Sequence, residues 1–181
     1  MATTDRTTPA TPADPSTATP AVPATGPEGL SGAYWRRPLV RSRQDERCDD
    51  TPQTSGMRRF AAISGGLTGS QHLWMGGNTV RPGEASDDHH HGPADSGIYI
   101  VSGHPRFTFV VDGREESVDA APGDFVYVPA YVPHREENPS ADEDAVVVLA
   151  RSTPEEIVVN LRDLWDTTGI PDAGDEARPV A

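Results

Sequence analysis

All six histidines of the 181-residue chain fall in one stretch, at His72, His89, His90, His91, His104 and His134. The run His89-His90-His91 carries the strongest chemical signal. In an extended strand side chains alternate, so His89 and His91 share one face while His90 points to the other. Two imidazoles placed this way can reach one divalent ion at about 2.0–2.2 Å. A third ligand has to come from elsewhere, and His134 is the best candidate, since it follows Pro129 and Pro133 where the backbone is stiff. A solvated loop is the plainer reading of such a run, and the surrounding spacing has to decide between them. His72, beside Trp74, is a candidate extra ligand or acid–base group. His104, at a turn, reads as solvated, and His90 as a surface or interface residue.

These residues need strands to position them. From about residue 57 to 152 the sequence alternates short β-rich runs with turn residues. Strands are predicted at His72–Met75, Asn78–Arg81, Asp88–His91, Ile98–Val101, Arg106–Val111, Glu115–Ala120, Asp124–Val128, Pro133–Glu137 and Ala145–Ala150. Asp112-Gly113 is a two-residue hairpin signal, and Pro82-Gly83 and Pro122-Gly123 are turn dipeptides. Strands this short and evenly spaced predict a sandwich or small barrel rather than a parallel α/β sheet. Parity turns Ser96, Ile98 and Ile100 inward with the histidines, and Tyr99 and Val101 outward. Phe107, Phe109, Phe125 and Tyr127 compete for the interior. The acidic run Glu136 to Asp144 reads as a solvated loop.

The flanks differ in texture. Residues 1–29 are dominated by Thr, Ala and Pro and lack Trp, Tyr, Phe and Ile. Such a segment cannot bury enough apolar area to offset its ordering entropy, so it is expected to be a disordered tail. Residues 30–56, with Trp35 and an Arg-rich stretch, are expected to be a partly ordered extension lying against the domain. Residues 153–181 are expected to hold a strand (Ile157–Leu161), a short helix and a frayed end.

Composition narrows the partners. The 15 basic residues are all Arg, against 28 acidic ones, for a net charge of −13. That balance argues against nucleic acid or an anionic membrane, which need a positive face. The single cysteine, Cys48, excludes an intramolecular disulfide framework and a Cys-based metal site. No apolar run approaches the length of a membrane span, and no charged start followed by an apolar stretch marks a secretory signal, so the expected location is cytoplasmic. No Gly-x-Ser-x-Gly elbow or Gly-rich phosphate loop is present.

Taken together, the spacing resembles the cupin family. Its first motif, Gly-x5-His-x-His followed by Glu and Gly, is matched by Gly83, His89, His91 and Gly103, with Ser96 in the Glu position. Its second, Gly-x5-Pro-x-Gly-x2-His-x3-Asn, is matched by Gly123, Pro129, His134 and Asn138, with Tyr131 in place of the Gly. The match covers roughly residues 60–150. The resemblance implies an all-β fold, a double-stranded β-helix (jelly-roll) barrel of the small, single-domain cupin-2-like type behind a disordered N-terminal tail. It also implies one divalent metal ion held inside by His89, His91 and His134.

The departure at Ser96 leaves three readings. The site uses three neutral histidines, as some iron dioxygenases of the family do; or Asp95 swings in as a carboxylate; or the site has decayed. Three imidazoles would leave the ion at +2 and favour an anionic, chelating small molecule, with O₂ beside it. The expected function is therefore a metal-dependent enzyme, an oxygenase or dioxygenase with Fe²⁺ favoured over Mn²⁺, Ni²⁺ or Zn²⁺. A ligand-binding or sensing protein and an isomerase or epimerase are the rivals. Ile98, Ile100, Phe109 and Tyr131 are the expected pocket lining, and a homodimer is expected from the resemblance. With ordinary imidazoles, metal affinity would fall below about pH 6.5.

Overall fold

The computed structural model describes residues 38–171. Residues 1–37 and 172–181 lie outside it, and with them the expected tail, Trp35 and the frayed end. The described residues form ten strands: β1 (Met57–Ile63), β2 (Trp74–Val80), β3 (His89–His90), β4 (Ser96–Ser102), β5 (Arg106–Val111), β6 (Arg114–Asp119), β7 (Phe125–Val128), β8 (His134–Glu137), β9 (Ala145–Arg151) and β10 (Val159–Asn160). A one-turn helix, α1 (Gly65–Thr68), follows β1. The strands form two five-stranded antiparallel sheets, ordered β1-β2-β9-β4-β7 and β10-β3-β8-β5-β6. This is the double-stranded β-helix the motifs imply.

Parity explains the core. Along β4 the even-numbered Ser96, Ile98 and Ile100 are fully buried, while Gly97, Tyr99 and Val101 face solvent. On β9, Ala145, Val147 and Leu149 point in, beside Trp74 of β2 and Phe107 of β5. Ile98, Ile100, Val147, Leu149, Phe107 and Trp74 belong to one apolar cluster. Ile98 and Ile100, expected to line a pocket, are thus core residues.

Phe125 and Tyr127 are a correction. They were expected to compete for the interior, yet they are 79% and 66% exposed. Phe125 pairs with Tyr99 and Tyr127 with Gly97, and directly paired residues share a face. Outward Tyr99 therefore commits both aromatics to the outside. Four consecutive apolar or aromatic residues, Phe125-Val126-Tyr127-Val128, carry no alternation from which to read that choice.

Two predicted strands, His72–Met75 and Asn78–Arg81, prove to be parts of one. Gly76-Gly77 does not break it, because the glycines admit neighbours where a side chain would stand. A Cβ on Gly77 would lie 2.4 Å from the Phe60 ring, and one on Gly76 would lie 2.0 Å from the Phe60 carbonyl oxygen. Strand β1, which had no apolar–polar signature, pairs along this glycine step. Cys48 extends the arrangement by bridging to Ala61 on the other edge of β1.

The expected C-terminal strand shrinks to β10, and no helix follows it among the described residues. There, Asp163 accepts from the Trp165 amide and Asp166 from the amides of Arg162 and Thr168. Such local side-chain bonds tie the backbone into turns in competition with helix. Replacement Gly76→Ala should lower unfolding stability by about 1–3 kcal/mol, the range for overpacking. Urea denaturation tests this, and an unchanged midpoint would refute the close approach at Gly76.

Candidate metal centre

Strands β3 and β8 are neighbours, and His89 stands directly opposite His134. His91 lies just beyond β3 on the same face. The three rings converge, with centroids 4.5 Å apart for His89 and His134, 4.7 Å for His91 and His134, and 5.2 Å for His89 and His91. All three are buried. One potential ligand atom from each, together with a Glu136 carboxylate oxygen, forms a group whose members lie within 4.8 Å of one another.

The ring orientations are set from behind. His89 Nδ1–H donates to the Asp87 carbonyl and His134 Nδ1–H to the Val132 carbonyl, both at 2.9 Å. His91 Nδ1 lies 2.7 Å from the Ser96 hydroxyl. With Nδ1 engaged, each Nε2 presents its lone pair to the interior, the arrangement typical of metal-binding imidazoles. The Nε2 atoms of His91 and His134 are buried without a hydrogen-bond partner, and that of His89 meets only Arg59 Nη2, at 3.2 Å. Buried polar atoms are rarely left unpartnered, so this donor set fits a divalent cation. Ser96 occupies the family's Glu position as a support for His91.

The carboxylate comes from an unexpected place. Glu136 was expected in a solvated acidic loop, but it is 2% exposed on β8 and shares the inner face with His134, two residues before it. Asn78 donates to its Oε2 at 3.2 Å. Period-two parity in the predicted strand Pro133–Glu137 was the signal available for it. Asp95 points out instead, accepting from the Tyr127 hydroxyl and the Ala130 amide. His72 is exposed on the loop before β2. Neither belongs to the cluster.

Sequence reasoning also missed two arginines. Arg59 of β1 and Arg151 of β9 point inward and have fully buried side chains. Glu156 pairs with both, at 3.7 and 3.4 Å, and Thr51 hydrogen-bonds to it as well. Arg59 Nε and Nη1 and Arg151 Nε and Nη2 remain without hydrogen-bond partners. Arg151 lies one residue past the predicted end of its strand, and Arg59 sits in the strand that was not predicted.

The remaining expectations resolve individually. His90 faces away from the cluster but is fully buried, not a surface residue. The C-terminal segment covers it, with Nε2–H donating to the Thr168 carbonyl and Nδ1 accepting from the Gly92 amide, both at 2.8 Å. Phe109 is half-buried and stands opposite His134 on β5. Tyr131 has φ 62°, the left-handed conformation that glycine favours, which accounts for the family's Gly there. Its ring lies 5.9 Å from His90 rather than against the three converging histidines. His104 is largely exposed, with Glu143 at 3.9 Å.

Burial dominates the electrostatics. It pushes His134 down to about 4, and holds His89 and His91 well below the usual imidazole value, helped by neighbouring histidines and arginines. The imidazoles are therefore neutral at pH 7, as metal ligands must be. Burial raises Glu136 and Glu156, and lowers Arg151 to about 10, which leaves it charged at neutral pH.

Residues 78–150 match the family model for the cupin domain. Over 105 residues the chain is 29% identical to a 3-hydroxyanthranilate 3,4-dioxygenase of Burkholderia lata, covering 56% of this chain and 60% of the dioxygenase. Among solved structures it superposes on a mutant oxalate decarboxylase of Bacillus subtilis with TM-score 0.55 and 27% identity, over 62% of this chain and 30% of that one. A second structure of that enzyme, concerned with its Mn(II) centres, gives TM-score 0.55 and 28% identity over 61% and 29%. The chain thus spans 60% of the dioxygenase and under a third of each decarboxylase chain.

Acid should destabilise the metal-free protein. Between the unfolded imidazole value near 6.5 and the folded value of about 4, the unfolded state binds the extra proton at His134. Stability is therefore full above pH 6.5 and lost as pH falls toward 4, by on the order of 3 kcal/mol from this residue. Thermal melts of stripped protein from pH 7 to 4.5 should show the decline, shallower in His134→Asn; parallel flat profiles would refute it. Burial also moves proton competition for a bound ion below the pH 6.5 expected from sequence.

Proposed function

Residues 78–150 being a cupin domain, we propose that the protein is a metal-dependent enzyme acting on a small anionic organic molecule, with oxygenase chemistry favoured. The carrying observation is the convergence of three Nε2 lone pairs and the Glu136 carboxylate inside the barrel. His89, His91 and His134 hold the ion, and Glu136 supplies the carboxylate that the first motif lacks. A bound redox-active divalent ion, iron by preference, supplies Lewis acidity and an electron source for O₂. The resemblance to a dioxygenase supports that choice, and the resemblance to a Mn(II) enzyme keeps manganese as the competing ion.

The protein's own part is positioning and charge. The two buried arginines and two buried glutamates cancel, so a divalent ion leaves the interior positive and in need of an anion. Arg59 and Arg151 carry donors with no partner, and planar guanidiniums match carboxylates in two-point geometry. An incoming carboxylate takes these donors, exchanging with Glu156 where it already pairs. Burial of the three histidines, both arginines and Glu136 keeps the site dry, which strengthens each of these interactions.

One contact favours a second reading. Arg59 Nη2 sits at His89 Nε2, where a cation would otherwise bind, so a non-catalytic cupin with the guanidinium in the metal's place also accounts for the geometry. Metal content decides. Tag-free protein should carry about one divalent ion per chain by plasma mass spectrometry, lost in His89→Ala and His134→Ala but retained in Arg151→Gln. Ser96→Ala should weaken metal affinity about 10–100-fold, as loss of a supporting hydrogen bond does. Metal-dependent O₂ uptake with hydroxylated aromatic carboxylates, with a raised KM in Arg151→Gln, would support the oxygenase. Absence of metal after anaerobic iron loading would sink the proposal in favour of the second reading.

A further inference from the structure

The three converging histidines and both inner arginines are buried, so a ligand needs a way in. A cleft of about 360 Å³ opens between the chain after Cys48, helix α1 and the loop that follows β9. That volume falls within the roughly 300–1,000 Å³ of small-molecule sites. Ala61, Leu67, Trp74 and Pro154 give it apolar walls. Glu156 also lines it, whereas neither arginine that Glu156 pairs with does. This one carboxylate therefore separates the cleft from the charged interior.

Glu156 is held loosely on the arginine side. Its Oε1 lies 3.4 Å from Arg151 Nη1 and 3.7 Å from Arg59 Nη1, against about 2.7–2.9 Å for a close charge-assisted bond. The Arg59 guanidinium reaches the other way as well, with Nη2 3.2 Å from His89 Nε2. It thus spans from Glu156 to the imidazole cluster. The Arg151 guanidinium lies 5.4 Å from the centroid of the Trp74 ring, which ties it to the cleft wall. On either side of Glu156 the backbone is pinned. The Gly65 amide donates to the Pro154 carbonyl at 2.8 Å, and Arg151 Nη1 to the Ile157 carbonyl at 3.0 Å. From the cleft side, the Thr51 hydroxyl donates to Glu156 Oε2. Opening the passage therefore asks for rotation of one side chain and leaves the loop in place.

We propose that this cleft admits and binds a small monocarboxylate with an apolar body, and that Glu156 is its gate, a built-in competitor for the two arginines. The inference rests on the reading of Arg59 and Arg151 as carboxylate partners. The entering carboxylate displaces Glu156 and takes the guanidinium donors left unpartnered, while the apolar body packs against Trp74, Ala61 and Leu67. An uncharged molecule of the same shape cannot displace Glu156, because it would strand two buried guanidiniums without their counter-charge. The gate thus selects for charge before shape. Asp50 and Glu155 stand exposed at the rim, where water and salt screen their opposition to an anion.

Benzoate, with benzamide as its neutral counterpart, tests this by calorimetry on the full chain, both metal-free and zinc-loaded. Benzoate should bind and benzamide should not. Benzoate should also slow the reaction of half-buried Cys48, the chain's one thiol, with a disulfide reagent. Glu156→Gln should bind benzoate about tenfold tighter, within the range of coupling between competing ligands, because the internal competitor has lost its charge. A glutamate with a merely structural role would give weaker or unchanged binding. Thr51→Val frees the glutamate and keeps every charge, so it should tighten binding too, even where Glu156→Gln fails to fold. Arg151→Gln separates the gate from the reading it rests on. Benzoate binding lost there, with no tightening in Glu156→Gln or Thr51→Val, would overturn the gate alone. Binding unchanged in Arg151→Gln, or absent from the wild-type chain in both metal states, would overturn the gate and the carboxylate reading together. Unslowed Cys48 labelling with benzoate bound would overturn the cleft as the way in.

Discussion

Exclusion of water from the middle of the barrel governs the chemistry of this protein. Three imidazoles, two guanidiniums and two carboxylates lie there, each of which would be better hydrated outside. Burial keeps the imidazoles unprotonated, so their Nε2 atoms are electron-pair donors rather than cations. It also makes each supporting bond from Asp87, Val132 and Ser96 worth more than it would be in water. The ring positions and the protonation state then reinforce one another, since only the neutral tautomer that donates from Nδ1 leaves Nε2 free.

Charge balance follows from the same constraint. Arg59 and Arg151 could not be buried without Glu136 and Glu156, and removing one partner would strand a charge in low dielectric. The balance is incomplete in its hydrogen bonds, however. Several guanidinium nitrogens lack acceptors while two imidazole nitrogens lack donors or cations. An interior with both kinds of unmet demand suits an ion and an anion together.

Much of this was legible from spacing. The His89–His91 pair shares a face because strand side chains alternate, and that argument needs nothing beyond the chain itself. The inward set Ser96, Ile98 and Ile100 and the outward pair Tyr99 and Val101 follow by the same count. Where alternation was absent the reading failed, as at Phe125-Val126-Tyr127-Val128. It also failed where a close approach rather than a side chain defined the strand, as at Gly76-Gly77. Glu136 was misread because it opens a stretch rich in acids that ends in the exposed Asp142, Glu143 and Asp144, although its parity with His134 pointed inward.

The amino-acid sequence by itself determined the β class, the two motifs and the faces of individual strands, because these depend on local geometry with a period of two. Tertiary structure alone decided which faces meet. Pairing of β3 with β8 set His89 against His134, and pairing of β4 with β7 sent two aromatics outward. The enclosure of β1 and β9 placed Arg59 and Arg151 beside a carboxylate from a third strand and another from a loop. These contacts join residues as far apart in sequence as Arg59 and Glu156, and their strength comes from a dry interior that exists only once the two sheets have closed.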